Sequence, residues 1–207
     1  MSENVLVTGG VCFIGSHLCE NLLTEGHEVI CLDNFDPYYD PNLKRENVKH
    51  LLENSRFTLI EDIRDEKIPD IIREYSVEYI MHNAAQPGVR ASVENPKKAN
   101  EVNVRGTLNL LLACIDPDVK KFINASSSSV YGKIVYLPLD EEHPTNPVSP
   151  YGVSKLAAEH YCRIFYEIYG LKTISLRLFT VYGPRMRPDL AISIFTRKAL
   201  RLSLIHI

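Results

Sequence analysis

Tyr151 and Lys155 are the residues of this sequence whose types and spacing most clearly suggest chemistry. They are four residues apart, directly after a proline that suits the first turn of a helix, so both side chains would lie on one helix face. A tyrosine that acts as a base at neutral pH needs its pKa lowered from about 10 by about 3, a difference of about 4 kcal/mol. A neighbouring ammonium favours the phenolate. Long helices often carry such pairs, so the spacing needs support from its surroundings.

Four consecutive serines at positions 126–129 provide part of that support. They end a predicted strand upstream of Tyr151, and ligands of open α/β sheets bind at the carboxyl ends of the strands. The serines are therefore candidates for contact with a reacting group, with a solvated turn as the alternative.

A glycine-rich turn at residues 8–15 follows the first predicted strand and opens a helix. Dinucleotide sites need glycine here for a tight turn and for close approach of the pyrophosphate, which the N–H groups of the helix N-terminus then bind. Asp33 ends the second strand 18 residues after Gly15. A carboxylate there would bond the adenosine ribose hydroxyls and repel the extra phosphate of NADP. The turn and Asp33 predict an NAD site, with an ordinary strand–turn–helix as the alternative.

Cys12 occupies the middle position of the Gly-x-x-Gly-x-x-Gly spacing that starts at Gly9 and ends at Gly15. Its side chain would point toward the bound pyrophosphate, so we expect weakened NAD binding. A cysteine at a helix N-terminus can also have a lowered pKa and unusual reactivity. We favour an incidental substitution over a redox role.

The elements that position these residues alternate between short β-rich runs and longer helical patterns. Such alternation predicts βαβ units and a Rossmann-type, doubly wound parallel sheet of the α/β class, and continuous apolar runs fit strands covered on both faces. Two irregular segments, 36–41 and 137–150, are of the kind that often cover an active site. The predicted strands are 4–8, 28–33, 57–61, 79–83, 121–126 and 173–178, and the predicted helices are 14–25, 65–75, 97–114 and 151–169.

Composition narrows the class of protein. The 207 residues are 45% hydrophobic and 24% charged with a net charge of −3, which suits a globular protein and makes nucleic acid a poor partner. No apolar run approaches the roughly 20 residues that cross a bilayer, and no secretion signal is visible. Five widely spaced cysteines lack zinc-site spacing, and all but Cys12 are expected to be core residues in a reducing cytoplasm. No spacing suggests a metal site, and His82 is expected to be a hydrogen-bonded core residue.

Together these motifs resemble the extended short-chain dehydrogenases/reductases, in the NAD-dependent epimerase/dehydratase family. Within it the chain is most similar to the UDP-glucose and UDP-glucuronate 4-epimerases. The resemblance covers almost the whole chain. It is carried by residues 8–15, 33–40, 62–65, 82–86, 103–107, 126–132, 149–155 and 177–184.

The resemblance implies that NAD is the cofactor and that it lies along the carboxyl ends of the strands. The implied contacts are Gly9, Cys12, Phe13, Ile14 and Gly15 at the pyrophosphate, Asp33 and Asn34 at the adenosine ribose, Asp62 and Ile63 beside the adenine, Ala84, Ala85 and Gln86 on the nicotinamide side, Tyr151 and Lys155 from the Tyr-x-x-x-Lys pair, and Phe179 where cofactor and sugar meet.

The same resemblance implies the catalytic roles. Tyr151 would be the base, and Lys155 would orient the nicotinamide ribose and tune Tyr151. Ser127, with Ser128 as the alternative, would bond the reacting hydroxyl. The implied substrate-binding residues are Arg90, Ser127, Ser128, Tyr151 and Thr180, although Arg90 could equally be a solvated surface residue.

The reaction implied is epimerisation at C4 of a nucleotide sugar through a transient 4-keto sugar, with NAD tightly held. Related 4,6-dehydratases need an extra carboxylate where this chain has residues 127–129, which favours epimerisation. Related decarboxylases remain an alternative, because residues 88–90 resemble members that act on uronates. A truncated NAD-binding module without catalysis is the alternative from another class.

Family members continue beyond the length of this chain, so the resemblance implies that most of the C-terminal substrate subdomain is missing. We expect an NAD-binding domain over residues 1–180 and the start of a substrate-binding part over 181–207. Residues 203–207 do not resemble the family, which suggests truncation or an unrelated tail. The pair Glu61 and Asp62 lacks the glycine that the family usually places between them. A homodimer through helix 151–169 is a further expectation from the resemblance.

Overall fold

The protein is built on one six-stranded sheet, seen in a computed structural model that describes residues 2–60, 67–115 and 119–201. All five strand pairings are parallel, and the spatial order is β3-β2-β1-β4-β5-β6. This order confirms the predicted Rossmann-type sheet. The strands are β1 (Asn4–Thr8), β2 (Glu28–Leu32), β3 (Phe57–Ile60), β4 (Tyr79–His82), β5 (Lys121–Ser127) and β6 (Thr173–Leu178).

Eight α-helices accompany the strands in the described part of the chain, and none of them has the length and apolarity to cross a bilayer. Three of them, α2, α4 and α8, were not predicted from the sequence. The helices are α1 (Phe13–Thr24), α2 (Pro41–Val48), α3 (Ile68–Glu74), α4 (Val89–Glu94), α5 (Pro96–Asn100), α6 (Gly106–Ala113), α7 (Pro150–Tyr169) and α8 (Ala191–Leu200).

One turn of π-helix, Glu101–Arg105, joins α5 to α6. The sequence predicted a single regular helix over residues 97–114, and the structure interrupts it here. A π turn accommodates one more residue than an α turn, and such turns are frequent at functional sites. Asn103 lies in this turn and is 1% exposed.

The core divides into two apolar clusters on opposite faces of the sheet. Leu6 of β1 packs in the cluster that contains residues of α3, α6 and α7, whereas Val5 and Val7 pack in the cluster that contains residues of α1 and α2. Alternate residues of one strand therefore serve both faces, as the apolar runs predicted. Four of the five cysteines are buried in these clusters, which confirms the prediction of core cysteines.

Helix α7, which carries Tyr151, has residues typical of a helix start at its beginning and a residue typical of a helix end at its end. The Ser149 side chain accepts a hydrogen bond from the Gly152 N–H at 3.1 Å, and Pro150 occupies the first turn. Gly170 ends the helix in the left-handed conformation with φ 71°. The hydrogen bond from Lys155 Nζ of α7 to the carbonyl oxygen of Ala125 in β5 holds the helix beside this strand.

Candidate active site

A cavity of about 340 Å³ opens at the carboxyl ends of the central strands. It contains most of the residues for which the sequence predicted a role, although they lie far apart along the chain. The predicted residues that line it are Gly9, Cys12, Phe13, Ile14, Gly15, Asp33, Asn34, Ala84, Ala85, Gln86, Ser127, Tyr151, Lys155, Phe179 and Thr180.

The glycine turn at one end of the cavity leaves no room for side chains at two positions. Gly9 has φ 68°, and a Cβ built on it would lie 2.8 Å from the backbone nitrogen of Ala84. A Cβ on Gly15 would lie 2.2 Å from the carbonyl oxygen of Gly9. Because the backbone at Gly9 and Gly15 packs so closely, the first turn of α1 lies at the cavity. The N–H groups of this turn have no acceptor within the helix. These N–H groups and the helix dipole form a site for an anion.

Cys12 and Asp33 contact each other beside this turn. The Cys12 Sγ donates a hydrogen bond to Asp33 Oδ2 at 3.7 Å, and the Phe35 N–H donates to Asp33 Oδ1 at 2.9 Å. Burial raises the pKa of Asp33, while the Phe35 N–H and the Lys44 ammonium act in the opposite direction. The carboxylate predicted to bind ribose hydroxyls is therefore already engaged by the thiol.

The structure contradicts the hypothesis of a reactive Cys12 thiolate. Burial, followed by the charge of Asp33, raises the pKa of Cys12 to about 12. A helix N-terminus favours a thiolate, but here desolvation and a neighbouring carboxylate outweigh it. The thiol is a hydrogen-bond donor at neutral pH.

Tyr151, Lys155 and Ser127 also line the cavity. Burial raises the pKa of Tyr151, and a hydrogen bond with the Ser127 side chain and the charge of Arg187 oppose that rise. Lys155 is 3% exposed, and its Nζ donates a hydrogen bond to the carbonyl oxygen of Ala125 at 2.8 Å. Burial lowers the pKa of Lys155 to about 8. Ser127 and Arg187 therefore favour the phenolate of Tyr151, and the role of Lys155 in tuning Tyr151 stays a prediction.

Two predicted site residues, Ser128 and Arg90, lie outside the cavity lining, and two others are not described. Ser128 lies in the 3-10 turn Ser128–Val130, and Arg90 is exposed on α4. Neither lines the cavity. Asp62 and Ile63 lie outside the described residues, as does the Glu61–Asp62 spacing.

Two loops bring cavity residues that the sequence did not single out. Tyr38, from the loop after β2, donates a hydrogen bond through its hydroxyl to Asp189 Oδ2 at 3.3 Å. The Arg187 guanidinium lies 5.3 Å from the centre of the Tyr38 ring, and its Nε donates to Asp189 Oδ1 at 3.1 Å. The irregular segment 36–41 hinted at such a loop, but Arg187 lies beyond the segments that carry the family resemblance.

The chain just before Arg187 is fixed to α1. Arg185 forms an ion pair with Glu20 at 2.5 Å and donates a hydrogen bond to the Ser16 hydroxyl at 3.3 Å. His17 Nε2 lies 3.2 Å from the Pro184 carbonyl oxygen. The helix that begins at the glycine turn therefore also anchors the segment that carries Arg187.

His82, at the end of β4, is fully hydrogen bonded. Its Nδ1 lies 2.7 Å from Thr8 Oγ1, and its Nε2 lies 2.8 Å from Thr107 Oγ1. The prediction of a hydrogen-bonded core histidine is confirmed. Within residues 2–60, 67–115 and 119–201, no group of three His, Cys, Asp or Glu side chains is placed to hold a metal ion.

The matching family model and two similar relatives all belong to enzymes that act on nucleotide sugars, as their names state. The family described as GDP-mannose 4,6 dehydratase matches residues 6–205. The chain is 42% identical over 201 residues to a putative UDP-glucose 4-epimerase of Methanocaldococcus jannaschii, covering 95% of this chain and 63% of the relative. It is 43% identical over 202 residues to UDP-glucuronate 4-epimerase 4 of Arabidopsis thaliana, covering 95% of this chain and 46% of the relative.

Solved structures agree with the sequence relatives. The crystal structure of UDP-glucuronic acid 4-epimerase from Bacillus cereus, in complex with UDP-glucuronic acid and NAD, superposes with a TM-score of 0.91 at 38% identity. The match covers 97% of this chain and 64% of the other. The chain thus spans between about half and two thirds of the length of these relatives.

Proposed function

Because the chain belongs to the NAD-dependent epimerase/dehydratase family, we propose that it is the NAD-binding part of a nucleotide-sugar 4-epimerase that acts on UDP-sugars. One observation carries the proposal. A single cavity combines an anion site at a glycine turn, the carboxylate of Asp33 and the group of Ser127, Tyr151 and Lys155.

The residues of the cavity suit NAD, with one exception. The first turn of α1 offers N–H groups to a pyrophosphate, and Asp33 and Asn34 lie at the carboxyl end of β2, where a ribose would be held. Ala84, Ala85 and Phe179 offer largely apolar walls for the nicotinamide. The exception is Cys12, whose thiol engages Asp33. NAD, when bound, would supply the hydride acceptor and donor for C4 of the sugar.

Proton transfer falls to the residues of the chain itself. Tyr151 would remove the proton of the sugar 4-hydroxyl as the 4-keto sugar forms. After the 4-keto sugar rotates in the site, Tyr151 would return the proton to the 4-oxygen of the other epimer. Ser127 acts to lower the pKa of Tyr151 and would hold the same hydroxyl. Arg187 supplies positive charge that favours the phenolate form of Tyr151. Lys155, held by the Ala125 carbonyl, would orient the nicotinamide ribose.

Epimerisation is favoured over dehydration by the position of the carboxylates. Among the described residues, the carboxylates that line the cavity are Asp33 and Asp36, both just after β2. Elimination of water from the sugar would need an acid or base beside Tyr151. Of positions 127–129, Ser127 lines the cavity, and it offers a hydroxyl group in its place. Arg90, the cue for a decarboxylase, lies on the surface of α4.

We further propose that residues 1–180 form the cofactor-binding domain and that residues 181–207 begin the substrate-binding part. The Cys12–Asp33 contact favours a second candidate, an NAD-binding module of the same family that turns no substrate over. The two candidates differ in turnover and share cofactor binding.

One experiment separates these candidates. The purified chain is titrated with NAD by calorimetry and then incubated with UDP-glucose or UDP-glucuronate that carries deuterium at C4. Epimerisation gives the C4 epimer with unchanged mass and with deuterium retained at C4. A dehydratase gives a product that has lost water, and a decarboxylase releases carbon dioxide, so mass spectrometry distinguishes them. The C4 epimer would rule out the non-catalytic module, NAD binding without any product would show that this chain alone only binds the cofactor, and no NAD binding would refute both candidates.

A further inference from the structure

His82 does not line the cavity, but hydrogen bonds connect it to the cavity wall through two threonines. Its ring is 1% exposed, lies against the Phe122 ring at a centroid distance of 5.7 Å, and bonds a threonine hydroxyl at each nitrogen. Thr8 ends β1 just before the glycine turn, and Thr107 lies in the first turn of α6.

The threonine hydroxyls allow one arrangement of protons. Thr107 Oγ1 donates its only proton to the Asn103 carbonyl oxygen at 2.7 Å, so it accepts from His82 Nε2. With Nε2 protonated on a neutral ring, Nδ1 accepts the proton of Thr8 Oγ1. Thr8 Oγ1 in turn accepts from the Ala84 N–H at 3.2 Å. Each hydroxyl donates once, and the chain of bonds has a single direction.

Both ends of this chain reach the wall of the cavity formed by Ala84, Ala85 and Gln86. One end is the Ala84 N–H itself. The other end is Asn103, whose side chain accepts from the Gln86 N–H at 2.7 Å and donates to the Gln86 carbonyl oxygen at 3.2 Å. Asn103 also donates to the Ser154 hydroxyl at 2.9 Å, next to Lys155 on α7.

We propose that His82 is a positioning residue, which holds the wall of Ala84, Ala85 and Gln86 in place for the nicotinamide by fixing Thr8 at one end and Thr107 with Asn103 at the other. The inference rests on the proposed NAD site. It assigns a role to a buried side chain that touches neither cofactor nor substrate.

The arrangement requires a neutral imidazole, and the surroundings of His82 enforce one. Burial, followed by the charge of Lys155, lowers the pKa of His82 to about 3. A cationic ring would donate at both nitrogens, and Thr8 Oγ1 would then have to turn its proton away from the ring.

Three substitutions divide the network into its parts. His82→Phe keeps an aromatic ring and removes both hydrogen bonds. His82→Asn places an amide oxygen near the position of Nδ1 and can still accept from Thr8, whereas His82→Gln reaches the position of Nε2 and can still donate to Thr107. Phe122→Leu is the matched control, because it disturbs the same part of the core without touching the network.

The experiment measures backbone amide exchange at Ala84 and Gln86 by NMR, together with NAD binding by calorimetry. We expect His82→Phe to lose protection at both amides and to bind NAD about tenfold more weakly, the effect of leaving buried donors unpaired. His82→Asn should restore protection mainly at Ala84, and His82→Gln mainly at Gln86. The nitrogen shifts of His82 in the unmodified protein should show the neutral form protonated at Nε2.

Contrary outcomes are distinct. A ring protonated at Nδ1, or equal amide protection and NAD affinity in His82→Phe and Phe122→Leu, would overturn the positioning role. Faster amide exchange with unchanged NAD affinity in His82→Phe would overturn its link to the cofactor. If the unmodified protein does not bind NAD, the proposed function fails, while the amide exchange and the imidazole shifts still decide whether His82 fixes this wall.

Discussion

Replacing Cys12 by glycine is expected to strengthen NAD binding. In the structure the Cys12 thiol donates to Asp33 Oδ2 at 3.7 Å, the oxygen that a ribose hydroxyl would need. Because the pKa of Cys12 is raised to about 12, the thiol keeps its proton and remains a donor at neutral pH. A ribose hydroxyl of NAD that binds Asp33 would compete with this contact.

The size of the effect follows from the two hydrogen bonds that compete. A hydroxyl that donates to a carboxylate contributes about 1.5–3 kcal/mol, and a thiol is the weaker donor. A net difference of about 1.4 kcal/mol corresponds to about tenfold in affinity. The fold should tolerate the change, because Cys12 is the N-cap of α1 and glycine costs only a few tenths of a kcal/mol there.

Calorimetric titration of three proteins with NAD tests this reasoning. Cys12→Gly should bind about tenfold more tightly than the unmodified chain. Cys12→Ala is the matched variant, since it removes the thiol and keeps the Cβ. Equal gains in both variants would identify competition for Asp33, and a gain in glycine alone would identify steric obstruction of the pyrophosphate. If both variants bind within about twofold of the unmodified chain, neither effect operates.

Three further predictions concern other parts of the molecule. In the unfolded chain His82 takes up a proton below its ordinary pKa of about 6.5. In the folded protein its pKa is about 3, so it stays neutral between pH 6.5 and 5. Because only the unfolded state binds the proton in this range, the free energy of unfolding should fall by about 2 kcal/mol between pH 6.5 and 5. Chemical denaturation at both pH values should show this loss, and His82→Asn should reduce it. Glu20→Gln breaks the ion pair with Arg185. The loss of about 0.2–1 kcal/mol of local stability should speed limited proteolysis near Arg185 a few-fold. Glu46→Gln is the control, because it breaks an exposed ion pair with Lys49 and should leave this proteolysis rate unchanged. Tyr151→Phe should leave NAD affinity within about twofold and lower any epimerisation by about 10²–10⁴, measured by product analysis, and undiminished turnover would refute its role as the base.

The sheet could be predicted closely because its strands are apolar runs with few competing interpretations. The bounds predicted for β1 and β6 agree with the structure, and those of β2, β4 and β5 differ by one residue. Helix α2 was missed although its start carries a readable signal. Asp40 caps it by accepting from the Asn42 N–H at 2.9 Å, and Pro41 occupies its first turn.

The candidate site was predictable where local sequence determines geometry and unpredictable where loops meet. The glycine turn and the Tyr151–Lys155 spacing each lie within one short segment. The contribution of Arg187 depends instead on contacts with Tyr38 and Asp189, and on the anchoring of Arg185 to α1. Motifs contain no information about such distant contacts.

The pKa of Cys12 shows a different limit. From the sequence, the helix N-terminus was the only visible influence on the thiol, and it pointed to a lowered pKa. The structure adds burial and the carboxylate of Asp33, and both raise the pKa. For Lys155 the fold adds a hydrogen bond to the Ala125 carbonyl oxygen, which no sequence pattern indicates.

The π turn Glu101–Arg105 makes the length of its helix a functional property. Removing one residue there would restore a regular α-helix and leave the faces of the flanking turns unchanged, but the residues within the turn would be realigned. Asn103 would then lose Gln86. Insertions and deletions in this stretch should therefore be tolerated far less than substitutions on its exposed face, even when they leave Asn103 itself in the sequence.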